Sequence, residues 1–190
     1  MTKARLEAFS DGVIAIIITI MVLEMRTPHG TGLSSLKPLV PIFLSYVMSF
    51  LYLGIYWSNH HHLIHTAKRN TARIMWSNLH LLFWLSLIPF VTGWLGENHG
   101  ESWPTALYGT VLLMAACAYV ILQGAIIASE GKDSTLTKAI GNDLKGKTSL
   151  IVYTAAIVLA FVNQWIAEAL YLGVALMWLV PDRRIERLIE

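Results

Sequence analysis

Six apolar runs, separated by short polar segments, determine what this chain can fold into. A helix rises about 1.5 Å per residue, so roughly 20 apolar residues cross about 30 Å of hydrocarbon. The last two runs are short and are joined only by Asn163 and Gln164. The predicted membrane-spanning helices cover residues 8–25, 39–58, 74–95, 104–128, 148–163 and 165–181. We therefore expect an all-α, polytopic membrane protein with six transmembrane helices in a single domain, residues 1–190.

The composition is typical of a protein embedded in a lipid bilayer. Hydrophobic residues make up 55% and charged residues 14% of the chain, whereas about 25% of the residues of a soluble domain are charged. A net charge of +2 is too small to indicate nucleic acid as a partner. The only cysteine, Cys117, lies in an apolar run, which excludes an intrachain disulfide and a cysteine-based metal site.

The distribution of basic residues predicts the topology and keeps the last two runs separate. Cytoplasmic loops of membrane proteins carry an excess of lysine and arginine. With six spans, 12 of the 14 basic residues fall on one side. They are Lys3, Arg5, Lys68, Arg69, Arg73, Lys132, Lys138, Lys145, Lys147, Arg183, Arg184 and Arg187. We expect a multi-pass protein of the cell inner membrane with both termini in the cytoplasm, since merging the last two spans would move the tail arginines to the wrong side.

The first predicted helix carries a face that suits a hydrophobic constriction. On a 3.6-residue period Ile16, Ile20 and Leu23 share one side, with Thr19 beside them. If several subunits present this face to a common axis, stacked apolar rings form a pore that closes by dewetting. The alternative is that these side chains face lipid or pack in the core. Thr19 has its own alternative, a hydroxyl bonded back to the carbonyl of Ala15.

Polar residues accumulate where the first three predicted helices meet the cytoplasmic side. Ser10 and Asp11 lie near the start of helix 1, and a buried carboxylate needs a partner. Candidate partners at similar depth on helices 2 and 3 are Asn59, His60, His61, His62, His65, Asn78 and His80. We predict a hydrogen-bonded network that fixes helix 1 against helices 2 and 3. A metal site is the less favoured reading and we expect none, because only His61 and His65 have the i, i+4 spacing.

The segment Arg5-x-x-x-Phe9-Ser10-Asp11, at the head of the first of six helices, resembles the signature of the endosomal and lysosomal transmembrane potassium channel family. The closing segment 181–186, Pro-Asp-Arg-Arg-Ile-Glu, resembles its prokaryotic branch. Members are potassium-permeable channels that lack the TVGYG filter, and this chain also lacks it. Because the chain has one six-helix repeat, the resemblance implies a homotetramer in the lipid bilayer, with four copies of helix 1 around the pore.

The resemblance also implies roles for individual residues. The family's pore constriction falls here on Ile16, Ile20 and Leu23, and its threonine layer, tied to selectivity, falls on Thr19. The signature residues Arg5, Phe9, Ser10 and Asp11 would hold the pore helix in place. Potassium ions are the expected permeant species, and no cofactor is expected.

Other classes of function fit the sequence less well. In a proton-coupled secondary transporter, Asp11 and the helix 2 histidines would relay protons. Such folds usually contain repeats and helices broken near mid-membrane, whereas helix 1 has neither a proline nor a mid-span glycine. A non-conducting scaffold would leave Arg5 and Asp11 without a purpose. We predict no enzymatic activity, because no nucleophile, base and orienting group occur together on one side of the membrane.

Overall fold

The computed structural model describes residues 2–131 and 143–179, and within these ranges the chain is helical with no strand. The α-helices, in chain order, are α1 (Lys3–Ile20), α2 (Val40–Thr66), α3 (Ala72–Ser86), α4 (Ile88–Glu97), α5 (Ser102–Glu130), α6 (Leu144–Leu159) and α7 (Gln164–Leu179). Two 3-10 helices cover Met21–Glu24 and Leu33–Leu39. The predicted all-α polytopic fold is confirmed, with α3 and α4 together forming the third span. Among the residues used to predict topology, Lys132, Lys138 and the closing segment with its arginines lie outside the described residues.

The spans are long and apolar enough for a multi-pass membrane protein. Among the residues that the structure describes, four segments meet the length and hydropathy expected of a membrane span: Lys3–Glu24, Leu33–Thr66, Ala72–Glu97 and Ser102–Glu130. The shorter helix Gln164–Leu179 is also apolar. Two boundaries differ from expectation, since α1 begins at Lys3 rather than residue 8 and α2 continues to Thr66 rather than 58. The histidines that follow residue 58 therefore lie on α2 itself, as the i, i+4 spacing of His61 and His65 assumed.

The third span is interrupted at Leu87, which the sequence analysis did not predict. Pro89 lacks an N–H, and its ring would clash with the carbonyl of Leu85 in a continuous helix. The N–H of Leu87 instead bonds to the carbonyl of Trp84, three residues back, at 3.2 Å. Because of the break, the two halves of the span pack against different helices. α3 packs mainly against α5, and α4 packs mainly against α2.

Polar contacts show which helix ends lie together. The Lys3 ammonium, at the start of α1, donates to the carbonyl of His65 near the end of α2. The backbone N–H of Lys68 donates to Glu130 Oε1, at the end of α5, at 2.7 Å. We call this side the histidine end of the bundle, defined by His60, His61 and His65. The opposite end contains the starts of α2, α5 and α7.

Buried hydroxyl groups connect the helices between the two ends. Tyr108 donates to Ser49 at 3.0 Å, and Ser49 donates to Thr92 at 2.7 Å. Thr92 in turn donates to the carbonyl of Ile88 at 2.6 Å, which assigns the direction of the other two bonds. Since hydrocarbon offers no replacement for a lost hydrogen bond, this chain of hydroxyls joins α2, α4 and α5 in a defined register.

A second hydroxyl cluster brings in the last two helices. Tyr153 on α6 donates to the Tyr52 hydroxyl on α2 at 3.2 Å, and Tyr52 donates to the carbonyl of Tyr171 on α7. Gly109 on α5 allows Tyr171 to approach, because a Cβ there would lie 2.0 Å from the Tyr171 hydroxyl oxygen. The core is thus closed by tyrosines that need both their ring volume and their hydroxyl partners.

Candidate functional site

α1 and the 3-10 turn after it have two faces with different surroundings. One face is buried in the subunit's own bundle and contains Leu6, Ser10, Ile14, Ile17 and Met21. The other face is uncovered in the single chain, where Ile16 is 58%, Ile20 43% and Leu23 75% exposed. We call Ile16, Thr19, Ile20 and Leu23 the isoleucine face. These are the residues predicted to line a constriction, and the structure leaves them free of contacts that would bury them in this subunit.

The register of Leu23 differs from that of an ideal α-helix. α1 ends at Ile20, and residues Met21–Glu24 form a 3-10 helix. In a 3-10 helix side chains at i and i+3 are eclipsed. Leu23 is therefore in line with Ile20 rather than offset from it, and the two side chains stack along the same edge of the helix.

The Thr19 hydroxyl is satisfied within its own helix but retains acceptor capacity. It lies 3.0 Å from the carbonyl oxygen of Ala15 and 3.0 Å from that of Ile16. These bonds use the hydroxyl hydrogen, and the oxygen's own lone pairs remain able to accept. The back-bond considered in the sequence analysis is thus present. It leaves an exposed oxygen on the isoleucine face.

The buried face of α1 is tied to two other helices by three side chains. His60 Nε2 donates to Asn78 Oδ1 at 2.6 Å, and Asn78 Nδ2 donates to Ser10 Oγ at 2.9 Å. The Ser10 hydroxyl in turn donates a hydrogen bond to the carbonyl of Leu6 at 2.9 Å. Since an amide oxygen can only accept, His60 must carry a hydrogen on Nε2. All three side chains are buried, so α1, α2 and α3 share one directional relay of hydrogen bonds.

Asp11 has a different partner from the histidines considered in the sequence analysis. Its Oδ1 accepts from the indole N–H of Trp57 on α2 at 3.0 Å. Adjacent residues on a helix point about 100° apart, so Ser10 faces the core while Asp11 faces along the surface of α2. Trp57 was missed. The signal was present, because Trp57 precedes His60 by three residues and therefore shares its face of α2.

The remaining predicted residues lie around this network rather than in it. The rings of His61 and His65 stack at 6.2 Å, and His80 accepts from the Trp84 indole at 3.0 Å. Arg5 and Phe9 are both exposed. Within residues 2–131 and 143–179, no group of three or more histidine, cysteine or carboxylate side chains has the arrangement of a metal site. The structure therefore brings together Ser10, His60 and Asn78 but not the other histidines.

Comparison with known proteins agrees with this architecture. The family described as "Endosomal/lysosomal potassium channel TMEM175" matches residues 5–89, which include the three helices tied together by Ser10. A protein named potassium channel from Chryseobacterium sp. (strain P1-3) is 54% identical over 187 residues, covering 98% of this chain and 97% of that protein. These are ion channels and not enzymes. The chain belongs to the TMEM175 family.

Two further relatives extend the comparison. The crystal structure of a lysosomal potassium-selective channel TMEM175 homolog from Chamaesiphon minutus is similar with a TM-score of 0.82 at 28% identity, over 95% of this chain and 97% of that one. The human endosomal/lysosomal proton channel TMEM175 is 33% identical over 96 residues, which is 44% of this chain but 19% of the human protein. The similarity thus extends over the full fold in the bacterial relatives and over a smaller segment in the human one.

Proposed function

We propose that this chain is one of four identical subunits of a potassium channel in the bacterial inner membrane, with α1 of each subunit lining the pore. The observation that carries the proposal is the division of α1 into a face held in the bundle and the uncovered isoleucine face. The identity of the permeant ion is taken from the relatives, which are named as potassium channels. A pore-lining helix needs this division, because its position must be held while its other face meets the axis.

The isoleucine face would act as a hydrophobic gate. Four copies of Ile16, Ile20 and Leu23 around an axis give rings without a single oxygen, and a narrow apolar ring blocks ions by losing its water. The in-line placement of Ile20 and Leu23 lengthens the apolar section along the axis. The closed state would then be set by the width of these rings and opened by a small outward movement of α1.

Selectivity would come from dehydration together with the Thr19 oxygens. Sodium holds its water more tightly than potassium, so a narrow apolar ring penalises sodium more. The Thr19 oxygen on the exposed face can accept from the water around a partly stripped ion. We infer that four such oxygens, about one turn beyond Ile16, favour potassium.

The orientation of the chain follows from its basic residues, and we propose that the histidine end is cytoplasmic. Lys3, Lys68, Arg69 and Arg73 belong to segments at that end, and both Lys3 and Lys68 contact neighbouring helices there. The proton-coupled transporter receives less support, since Asp11 bonds to Trp57 and His60 bonds to Asn78. A relay from the carboxylate to the histidines would need both bonds to break.

The test is potassium flux into liposomes that contain the purified protein, with sodium as the competing ion. Ile16→Asn places an amide in the constriction and should raise flux, and Leu23→Ala widens a ring and should raise it less. Ile151→Asn is the matched control, because Ile151 is an exposed isoleucine on α6, which does not pack on α1. If Ile16→Asn and Leu23→Ala both conduct like Ile151→Asn, α1 does not line the gate.

A further inference from the structure

A groove between α2 and α7 lies at the end of the bundle opposite the histidine end. It has a volume of about 490 Å³, and its wall is formed mainly by apolar side chains that include Leu44, Val47, Leu51 and Leu172. This is the size of a site for a small amphiphile or a lipid chain. None of the residues of the isoleucine face lines this groove.

The groove contains one carboxylate, and the imidazole of His99 is close enough to interact with it electrostatically. Glu168 lines the groove, and its Oε1 is buried with no hydrogen-bond partner among the described residues. An ionised carboxylate in an apolar setting is costly unless a cation or a donor meets it. Of the described side chains lining the groove, only His99 carries a titratable nitrogen. The carboxylate is therefore the most specific feature of the groove. A cation that can donate hydrogen bonds would suit its buried oxygen.

Donors stand beside the carboxylate. Trp165 and His99 line the same groove. Trp165 is half exposed, and its indole N–H bonds to none of the described residues. An indole N–H and an imidazole N–H are suited to phosphate oxygens. Tryptophan also prefers the level of lipid headgroups. The groove thus offers one anionic acceptor next to two donors.

We propose that this groove binds a zwitterionic phospholipid with a primary ammonium headgroup, of the phosphatidylethanolamine class. The ammonium would meet Glu168, the phosphate would meet Trp165 and His99, and an acyl chain would follow the leucines between α2 and α7. The headgroup carries an ammonium and a phosphate, and the groove offers a carboxylate for the first and two hydrogen-bond donors for the second. A glycerol headgroup supplies no cation to the carboxylate, and a quaternary ammonium supplies no hydrogen bond. The bound lipid would join α7 to α2 from the membrane side.

The experiment measures the melting temperature of the purified full chain in detergent, with phosphatidylethanolamine, phosphatidylcholine or phosphatidylglycerol added. We expect phosphatidylethanolamine to raise the melting temperature most, because a ligand that binds only the folded state stabilises it. Glu168→Gln keeps the shape and removes the charge, so it should abolish this preference. Glu101→Gln makes the same change at an exposed residue at the same end and should retain it.

A second variant separates the two halves of the headgroup. Trp165→Phe keeps a ring but removes the indole N–H, so it should weaken stabilisation by phosphatidylethanolamine and by phosphatidylglycerol alike. Equal responses of the wild type to the three lipids would overturn the proposal, as would a lipid preference that survives Glu168→Gln. A change in oligomer size in Glu168→Gln, with lipid preference intact, would assign the groove to contact with a second copy of the chain and also overturn it.

Discussion

Asn78 is the central residue of the relay that holds α1, and its removal gives a demanding test of the site. It is 0% exposed, accepts from His60 and donates to Ser10. Asn78→Ala removes both bonds, each worth about 0.6 kcal/mol on average between membrane helices. It also leaves the His60 N–H unpaired, at a cost of about 1 to 3 kcal/mol. We expect a loss of roughly 2 to 4 kcal/mol in the free energy of unfolding.

The measurement is unfolding in mixed micelles at rising denaturing detergent, followed by tryptophan fluorescence. Asn98→Ala is the control, since the Asn98 side chain is exposed and bonds only to the carbonyl of Trp94, in the helix that Asn98 caps. Its cost should stay within about 0.5 kcal/mol. In a double-mutant cycle, Ser10→Ala with Asn78→Ala should show a coupling of about 0.6 to 1.7 kcal/mol.

Two results would refute this reasoning. The first is an equal loss of stability in Asn78→Ala and Asn98→Ala, which would mean that burial does not raise the cost of the unpaired His60. The second is additive behaviour of the Ser10 and Asn78 substitutions, which would mean that their hydrogen bond contributes nothing. Either result would mean that the relay does not hold α1, which would then be positioned by apolar packing and by the contacts of Asp11 with Trp57 and of Lys3 with His65.

Three further predictions concern residues in and near α1 and the packing of α2. Thr19→Val should lower the potassium preference in reversal potentials measured under mixed gradients, and an unchanged ratio would assign selectivity to the apolar rings. Asp11→Ala and Trp57→Phe each remove the bond between these side chains and should each destabilise by about 1 kcal/mol in detergent unfolding, and the double variant should cost no more than either if they act through that shared bond. Gly96→Ala should cost about 1 to 3 kcal/mol in the same assay, because its Cβ would lie 2.7 Å from a backbone atom of α2, whereas Gly54→Ala meets open space and should not destabilise.

Much of the fold was predictable because hydropathy records burial in lipid directly. Each of the six predicted segments is helical in the structure, but α2 is longer than its predicted apolar span, because the apolar run ends near residue 58 while the helix continues to Thr66. α2 continues because those side chains have partners, with His60 bonded to Asn78 and Tyr119 donating to the carbonyl of Asn59. The break at Leu87 was readable from Pro89 and was overlooked, because the run stays apolar on both sides of it with no charged residue.

The sequence was enough to predict the depth of the site residues in the membrane but not the direction in which each side chain points. Similar distance from the membrane edge was enough to bring Ser10, His60 and Asn78 together. It could not assign Asp11, because pairing depends on how α1 is rotated, and only packing of the buried face settles that. Glu168 was not singled out, although a carboxylate inside an apolar run is itself a signal of a site.

The relay of Ser10, Asn78 and His60 and the cluster of Tyr52, Tyr153 and Tyr171 also differ in when the growing chain can complete them. Ser10, His60 and Asn78 all belong to the first 78 residues, so their bonds can form once the third span has entered the membrane. Tyr52 must wait for the carbonyl of Tyr171, which is synthesised more than 100 residues later. Membrane proteins assemble while they are being made, so α1 would be secured early and the tyrosine cluster completed last. Arrested chains of increasing length, probed by protease, would show protection of α1 appearing first.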